Sequence, residues 1–408
     1  MKQVTSALDE QTRDIIKSTV PVLQEHGNKI TARFYQLMFK NHPELKNIFN
    51  QTNQRKGDQS HALANTVYAA AAHIDRLEDI LPHVMPIAHK HRSLNIKPEH
   101  YPIVGKHLLL GMKDVLGEAA TPEVIEAWEK AYNEIANVFI SVEKGMYQKV
   151  EENTGGWVDF RNFKVTKKVV ESDVITSFYL EPADGNPFPN HESGQYLTIK
   201  ADIEGEPFTH LRQYTISCAP GEGFYRISVK REDATDNSPA GIVSNYLHEH
   251  VKEGSILPIS APSGDFVLDL EDTRPLVLLS GGVGLTPMMS MLETVIKEQP
   301  NREVFFIHAA RNEKVHAMKE RVQEIVKEHN QVTSFTVYSE AEETVQCDKT
   351  GYVDYEWLSS ILPTNDAAFY FCGPEGFMDA INRNLIQYGV VASDSHFEFF
   401  GPAKELTA

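Results

Sequence analysis

The spacing of apolar residues divides the chain into three parts. Up to about residue 150, the apolar positions repeat with the 3.6-residue period of an α-helix. In residues 28–40, for example, Ile30, Phe34, Leu37 and Met38 fall at helical spacing. Further helices are predicted over residues 58–72, 99–116 and 122–147, with a short element starting at Pro43. These patterns predict an all-α domain that can close over a pocket.

A polar segment over residues 147–157, ending in Gly155-Gly156, separates this part from one with a period of two. Residues 224–231 alternate between apolar and polar side chains, which is typical of a β-strand. Other short strands are predicted over residues 163–170, 175–181, 196–201, 213–218 and 256–260. Six short antiparallel strands in about 110 residues favour a small β-barrel.

The last third begins with a buried strand over residues 275–280, followed by the turn Gly281–Gly284 and a helix over residues 286–297. A strand, a glycine-rich turn and a helix in that order can cradle a phosphate. However, Pro287 occupies the place of the third glycine of the Rossmann fingerprint, and Arg311 follows the next strand where a Rossmann domain has Asp or Glu. The pattern therefore predicts an α/β domain that is not a Rossmann dehydrogenase.

A second glycine-containing loop, Cys372-Gly373-Pro374, follows a predicted strand over residues 368–371. Because loops after parallel strands meet at one edge of a sheet, both loops would flank a single crevice. The predicted organisation is multidomain. It comprises an all-α domain over residues 1–148, a linker over 149–157, an antiparallel β-barrel over 158–267 and an α/β parallel-sheet domain over 268–408.

Composition narrows the classes of function. The formal net charge of −18 argues against nucleic-acid binding, which needs a basic surface. The three cysteines are far apart and form no CxxC pair, which suits a reducing compartment. The N-terminus lacks the apolar core of a signal peptide, and no apolar run reaches the length of a membrane span. We therefore expect a cytoplasmic protein.

Several polar residues of the helical part are candidates for a pocket. His89 and His91 lie two residues apart, about 200° around a helix, so only one of them can face the pocket. Gln59 and Leu63, at i and i+4, share a helix face. Tyr35 places a hydroxyl among apolar residues, where it needs a partner.

This helical part resembles the globins, and specifically the globin domain of flavohaemoglobins. The residues that carry the resemblance, in stretches such as FYQLMF, GDQSHAL and AHKHRSL, are Tyr35, Phe49, Gln59, Leu63, His91, Tyr101 and Glu143. The resemblance implies that His91 is the iron ligand of haem b and that Phe49 and Leu63 bind the haem. It also implies that Tyr35 and Gln59 donate hydrogen bonds to oxygen on the distal side. Tyr101 and Glu143 would adjoin the imidazole of His91.

The barrel resembles the FAD domain of the ferredoxin–NADP reductase family, through SGQYLTI, LRQYTIS and GIVSNYL. Arg212 and Tyr214 share one strand face, so they can bind the pyrophosphate and the flavin ring. Thr215, where the family usually has Ser, points the other way and can reach the flavin N5. The resemblance implies that FAD is bound by Tyr196, Arg212, Gln213, Tyr214, Thr215, Gly241, Val243 and Ser244.

The stretches GGVGLTPM and CGPEGFM resemble the pyridine-nucleotide domain of the same reductases. The resemblance implies that NAD(P)H is bound by Gly281, Gly282, Gly284, Thr286, Cys372, Gly373 and Pro374. In the family, the C-terminal segment HFEFFGP returns to the flavin, which would place Glu398 and Phe400 there. A last strand that packs against its sheet is the alternative interpretation, and both can hold.

The whole chain thus resembles a bacterial-type flavohaemoglobin. The resemblance implies a monomeric nitric oxide dioxygenase that passes electrons from NAD(P)H through FAD to haem and converts nitric oxide and oxygen to nitrate. A haem-based gas sensor is one alternative, although a sensor would not need a complete reductase. A general reductase of small acceptors is another. Arg311 could favour the 2′-phosphate of NADPH or be a surface arginine, so the choice between NADH and NADPH stays open.

Overall fold

A computed structural model describes residues 8–49, 57–236, 238–342, 344–401 and 406. The first seven residues, where the sequence predicts no signal peptide, lie outside this range. The chain forms two compact units. One runs up to Phe160 and includes Thr198–Arg212, and the other contains Arg161–Leu197 and the chain from Gln213 onward. The described part of the chain contains no helix that is both long and apolar enough to cross a membrane.

The N-terminal part of the first unit is helical, as predicted. Its helices are α1 Glu10–Asn41, α2 Asp58–Ala72, α3 Leu81–Ser93, α4 His100–Leu116 and α5 Pro122–Glu152, with a 3₁₀ turn at Pro43–Asn47. The predicted helix over residues 28–40 is only the second half of α1. That helix continues through Pro21, whose side chain is exposed while Ile16 and Leu23 are buried. Helix α5 also extends beyond its prediction, so residues 149–152 are helical.

Capping and close contacts explain how these helices form and pack. The Asp9 side chain accepts a hydrogen bond from Thr12 N at 2.8 Å, and Thr121 caps α5. Gly111 of α4 lies against α1, where an added Cβ would stand 2.9 Å from the carbonyl oxygen of Ile30. Because only glycine allows this approach, α1 and α4 can enclose a tight apolar core that includes Phe34.

The antiparallel sheet contains the six strands that alternation predicts. They are β1 Arg161–Val170, β2 Ile175–Pro182, β3 Tyr196–Ala201, β4 His210–Thr215, β5 Tyr225–Lys230 and β6 Ile256–Ile259, in the order β4-β3-β6-β1-β2-β5. An antiparallel bridge between Ile216 and Ile227 joins the end of β4 to the opposite edge strand β5. The sheet thereby closes on itself. Strand β4 starts and ends three residues earlier than predicted, and helix α6 Ile242–Glu249 follows β5.

The last part of the chain is a six-stranded parallel sheet. Its strands are β7 Leu276–Gly281, β8 Val304–Ala310, β9 Val332–Tyr338, β10 Lys349–Thr350, β11 Ala368–Cys372 and β12 Ser395–Glu398, in the order β10-β9-β8-β7-β11-β12. The helices between them are α7 Leu285–Glu298, α8 Lys319–Glu328, α9 Tyr355–Ile361 and α10 Glu375–Tyr388. Two separate apolar cores bury the sheet on both faces. The strand order reverses between β7 and β11, so their carboxyl ends flank a crevice.

Candidate functional site

Three side chains from three helices meet at the end of α3. Nδ1 of His91 lies 2.7 Å from Oε1 of Glu143 on α5. The hydroxyl of Tyr101, at the start of α4, donates a hydrogen bond of 2.6 Å to the same carboxylate oxygen. Glu143 and Tyr101 are buried, and the ring of Phe139 packs 5.8 Å from the imidazole. The structure therefore assembles these three predicted residues into one cluster.

The chain around this cluster holds the imidazole in place. Helix α3 ends at Ser93, two residues after His91. Asn95 then adopts a left-handed conformation with φ of 58°, and Ile96 N donates to the His91 carbonyl at 2.9 Å. On the other side, the hydroxyl of Tyr132 donates to the carbonyl of Tyr101 at 2.7 Å. The backbone on both sides of the imidazole is therefore fixed by hydrogen bonds.

The cluster fits a haem iron ligand. Because the Glu143 carboxylate can only accept hydrogen bonds, His91 donates its Nδ1 proton to it. Nε2 then carries the lone pair that a metal needs. Burial, followed by the charge of Glu143, raises the pKa of Tyr101, so its hydroxyl remains a donor across the ordinary pH range. Such a carboxylate orients a ligating imidazole and raises its basicity.

The residues predicted on the distal side lie on α1, on α2 and in the segment between them. Tyr35 is buried, with its ring 5.7 Å from that of Phe49. Gln59 and Leu63 are half-buried on α2. The hydroxyl of Thr31, one turn before Tyr35, donates to the carbonyl of Ser60 at 2.8 Å and so ties α1 to the start of α2. This contact holds the helix that carries Tyr35 against the first turn of the helix that carries Gln59.

The residues predicted to bind flavin fall on strands β3 and β4 and on helix α6. Thr215 is buried at the end of β4, whereas Arg212, Gln213 and Tyr214 are half-buried. Tyr196 is half-buried at the start of β3. Because side chains alternate along a strand, Thr215 lies on the face of β4 opposite to that of Arg212 and Tyr214. Their roles toward FAD remain predictions.

Three of the residues predicted to bind flavin lie at the start of helix α6. Gly241 is its N-cap, and the Ser244 hydroxyl donates to the Gly241 carbonyl at 3.3 Å. Val243 and Ser244 are buried on the inner face of this eight-residue helix. An added Cβ on Gly241 would stand 2.6 Å from Oγ of Ser244, so this hydroxyl would have to move. The first backbone N–H groups of α6 are available for a phosphate.

The two glycine loops of the parallel sheet come together. Gly284, at the start of α7, lies so near the other loop that an added Cβ would stand 2.1 Å from the carbonyl oxygen of Cys372. A Cβ on Gly281 would meet Phe377 at 2.9 Å, and one on Gly373 would meet the same ring at 2.5 Å. The two loops thus meet at one edge of the sheet, and that they cradle a phosphate there stays a prediction. Of the other members, Gly282 has a φ of 54°, Thr286 is buried in the first turn of α7, and Pro374 is the N-cap of α10.

The C-terminal residues lie at the same edge of the sheet. Strand β12 pairs with β11, which sets Glu398 opposite Cys372. Burial, followed by the charge of Glu398, raises the pKa of the Cys372 thiol, so this cysteine stays protonated. Phe400 is about half exposed, and its contact with flavin stays a prediction. The alternative interpretation of a last strand packed on its sheet is confirmed for β12.

Sequence reasoning did not single out one buried charged pair. Arg226 of β5 and Glu293 of α7 form an ion pair of 3.2 Å, and both side chains are more than nine-tenths buried. The alternation of β5 places Arg226 on the polar face of the strand, where the sequence predicts solvent rather than a covering helix. A glutamate within the otherwise apolar run of α7 was the one available signal.

Comparison with known proteins agrees with this architecture. The globin family model matches residues 32–139, and the model for the oxidoreductase NAD-binding domain matches residues 278–383. A flavohemoprotein of Oceanobacillus iheyensis is 61% identical over 406 residues, covering 100% of both chains. The fold and the site therefore define a class of protein in which a globin is joined to an oxidoreductase module. The globin is the helical part with the His91 cluster, and the module consists of the closed antiparallel sheet and the parallel sheet.

The chain belongs to the flavohaemoprotein family. The solved flavohemoglobin of Malassezia yamatoensis, which holds FAD and haem, superposes with a TM-score of 0.84 at 27% identity and covers 97% of this chain and 100% of its own. The FAD/NAD-binding domain of a Vibrio cholerae nitric oxide dioxygenase is 39% identical with a TM-score of 0.55, covering 60% of this chain and 100% of that domain. The predicted resemblance is confirmed.

Proposed function

We propose that the protein is an NAD(P)H-dependent nitric oxide dioxygenase with haem and FAD as its cofactors. The observation that carries the proposal is the hydrogen bond of 2.7 Å between His91 and Glu143, supported by Tyr101. A haem that only bound oxygen reversibly would not need a buried carboxylate beside its histidine ligand, whereas a haem that supports oxygen chemistry would gain electron density from such a carboxylate through the histidine. Family membership and the likeness to the Vibrio cholerae enzyme support the same activity.

Each group of site residues has its own role in the proposed reaction. The two glycine loops bind the phosphates of the nucleotide, and Arg212 binds those of FAD. Thr215 offers its hydroxyl to the flavin N5. When bound, haem would supply oxygen binding and FAD would supply the conversion of a two-electron hydride into single electrons. Tyr35 and Gln59 donate hydrogen bonds on the distal side, while His91 and Glu143 set the proximal side.

The test is nitric oxide consumption in air by protein loaded with FAD and haem, with nitrate measured as the product. A hydride carries two electrons and each nitrate requires one, so we expect two nitrates per nucleotide oxidised. Running NADH and NADPH in parallel identifies the donor. If nucleotide is oxidised while nitric oxide persists, the dioxygenase proposal is wrong and a general reductase is favoured.

A variant separates the two halves of the activity. His91→Ala should abolish nitric oxide consumption but retain reduction of ferricyanide by nucleotide, because the flavin and nucleotide residues are untouched. His89→Ala, two residues away on the same helix, is the matched control and should retain both activities. Loss of both activities in His91→Ala, with FAD still bound, would contradict this division of roles.

A further inference from the structure

A buried polar seam joins the antiparallel sheet to helix α7 inside the second unit. We define the seam as Ser217, Cys218 and Arg226 on the sheet side and Ser290, Glu293 and Thr294 on the helix side. All six are buried. The three helix residues are spaced i, i+3 and i+4, so they form one stripe along α7. Most of the remaining α7 residues are apolar, which makes this stripe distinct.

Glu293 is the centre of the seam. Its Oε2 accepts from Arg226 Nη2 at 3.2 Å and from the backbone N–H of Ala219 at 3.3 Å. Its Oε1 accepts from Nε of Arg321 at 3.3 Å. Arg226 also donates from Nε to the Ser217 hydroxyl at 3.2 Å and from Nη2 to the Ser217 carbonyl. A single carboxylate thereby links α7 to two places on the sheet.

A second contact of the seam lies one turn earlier on α7. The hydroxyl of Ser290 donates to the carbonyl of Cys218 at 2.7 Å, and Nε2 of His191 lies 2.9 Å from the same oxygen. Further along, the hydroxyls of Thr294 and Ser193 are hydrogen-bonded to each other. The helix is therefore held at consecutive turns by directional bonds.

Apolar packing alone would hold α7 less specifically. The buried residues of this helix include Met288, Met289 and Met291, whose unbranched side chains adapt to more than one arrangement. A guanidinium, by contrast, has donors in fixed directions. A buried ion pair contributes little net stability, because desolvation offsets the attraction, but it can select one arrangement over others.

The seam lies close in the chain to residues predicted to bind flavin and to residues predicted to bind the nucleotide. Ser217 lies two residues after Thr215, which is predicted to reach the flavin N5. Glu293 lies nine residues after Gly284, or about 13 Å along a helix. If α7 tilted by about 5° with Glu293 as the pivot, the glycine turn at the far end of that distance would be displaced by about 1 Å. A misplacement of about 1 Å can slow a reaction about 100-fold.

We propose that the Arg226–Glu293 pair is a positioning device that sets the distance between the nicotinamide and the flavin. It acts by fixing helix α7, and the glycine turn before it, against the strand that carries Thr215. The proposal rests on the reductase part of the proposed function. In the step concerned, the C4–H bond of the nicotinamide breaks, its electron pair leaves with the hydrogen, and flavin N5 accepts both. The nucleotide is thereby oxidised and the flavin reduced.

The test compares two variants in the holoenzyme. Arg226→Met with Glu293→Leu replaces the pair by apolar side chains, whereas Lys297→Ala removes an exposed ion pair with Glu222, one turn later on the same helix. Single-turnover flavin reduction by nucleotide is followed without oxygen or nitric oxide. We expect the double variant to be about 10- to 100-fold slower, with unchanged FAD content and nucleotide affinity within about threefold. Lys297→Ala should match the wild type.

Two readouts separate positioning from simple destabilisation. The primary isotope effect with nucleotide deuterated at C4 should rise in the double variant, because a longer transfer distance changes the hydride step itself. Amide hydrogen exchange at Ala219 should accelerate in the double variant but not in Lys297→Ala, and this readout needs no turnover. Should the double variant fail to fold, Glu293→Gln and Arg226→Lys carry the test. Glu293→Gln keeps a hydrogen-bond acceptor, so its rate of flavin reduction should stay within about threefold of the wild type. Arg226→Lys loses the fixed N–H donors of the guanidinium, so its rate should be about 10-fold lower.

An unchanged reduction rate in a folded, FAD-loaded double variant would overturn the proposal. Slowing that is fully explained by lost FAD would also overturn it, because the pair would then be only structural. Failure of the dioxygenase proposal gives a different result, namely normal flavin reduction without nitric oxide consumption in the wild type. The two proposals can therefore fail separately.

Discussion

Oε1 of Glu143 lies 2.7 Å from Nδ1 of His91 and accepts a hydrogen bond of 2.6 Å from the hydroxyl of Tyr101. One carboxylate oxygen from α5 therefore orients an imidazole from α3 and a phenol from α4. Because Glu143 is buried, its charge acts on the imidazole with little screening by water. The basicity of the proposed iron ligand is thus set by a residue 52 positions away in the chain.

Replacing Glu143 tests this relationship. In Glu143→Gln the side chain keeps its size but loses its charge, so the imidazole becomes a weaker donor to iron. We expect the iron–histidine stretching band in resonance Raman spectra to move to lower wavenumber. Nitric oxide consumption should fall about 10- to 100-fold. Glu129→Gln, an exposed change on the same helix, is the control, and an unshifted band in Glu143→Gln would contradict the role.

The close approach of the two glycine loops predicts the effect of Gly284→Ala. Its Cβ would stand 2.1 Å from the Cys372 carbonyl, so the two loops must separate. We expect the KM for nucleotide to rise at least about 10-fold, because the backbone that cradles phosphate moves. The haem spectrum should not change. Gly376→Ala, where nothing lies within 4 Å of the added Cβ, should leave the KM unchanged, and an equal rise in both variants would refute the cradle.

Thr215 can be tested by separating its hydroxyl from its shape. Thr215→Val removes the hydroxyl and keeps the branched side chain, while Thr215→Ser keeps the hydroxyl alone. If the hydroxyl bonds the flavin N5, the valine variant should reduce its flavin about 10-fold more slowly, as expected for the loss of about 1.4 kcal/mol. The serine variant should stay within about threefold. Stopped-flow absorbance measures both rates, and equal rates in all three proteins would exclude the hydrogen bond.

The buried imidazole of His191 should make the free energy of unfolding depend on pH. Burial lowers the pKa of His191 to about 4, although its bond to the Cys218 carbonyl opposes the shift. In the unfolded chain the pKa is about 6.5, so between these values the unfolded state binds more protons. The stability contributed by the neutral imidazole is therefore complete above about pH 6.5 and is lost as the pH falls toward 4.

We expect this histidine to account for about 2 kcal/mol of the decrease in unfolding free energy between pH 7 and pH 5. Urea unfolding at both values measures it. In His191→Gln, which cannot titrate, the difference between the two pH values should shrink by that amount. His250→Gln, an exposed change, should leave it intact. An undiminished pH dependence in His191→Gln would show that this group does not titrate as described.

Local patterns predicted the secondary structure well where one periodicity dominates. Helix α2 has its predicted bounds, and β3 does too, because flanking residues and apolar spacing agree there. Helix α1 was predicted over its second half only, since Pro21 and Gly27 weaken the local signal. Burial of one face of the whole helix against its neighbours overrides that weakness. Strand β4 shifted by three residues because its pairing, rather than its composition, sets its ends.

The sequence by itself determined the order of the three architectures and the two glycine loops, because both depend on residue types at short spacing, which the chain specifies locally. Helix geometry left His89 and His91 as alternatives, and the resemblance to the globins predicted His91 as the iron ligand. Only the tertiary structure decided that His91 and Tyr101 bond to the same carboxylate oxygen of Glu143, that Gly284 abuts Cys372 and that Arg226 is buried against Glu293. These relationships join residues far apart in the chain, so they depend on how helices and strands pack, which no local pattern encodes.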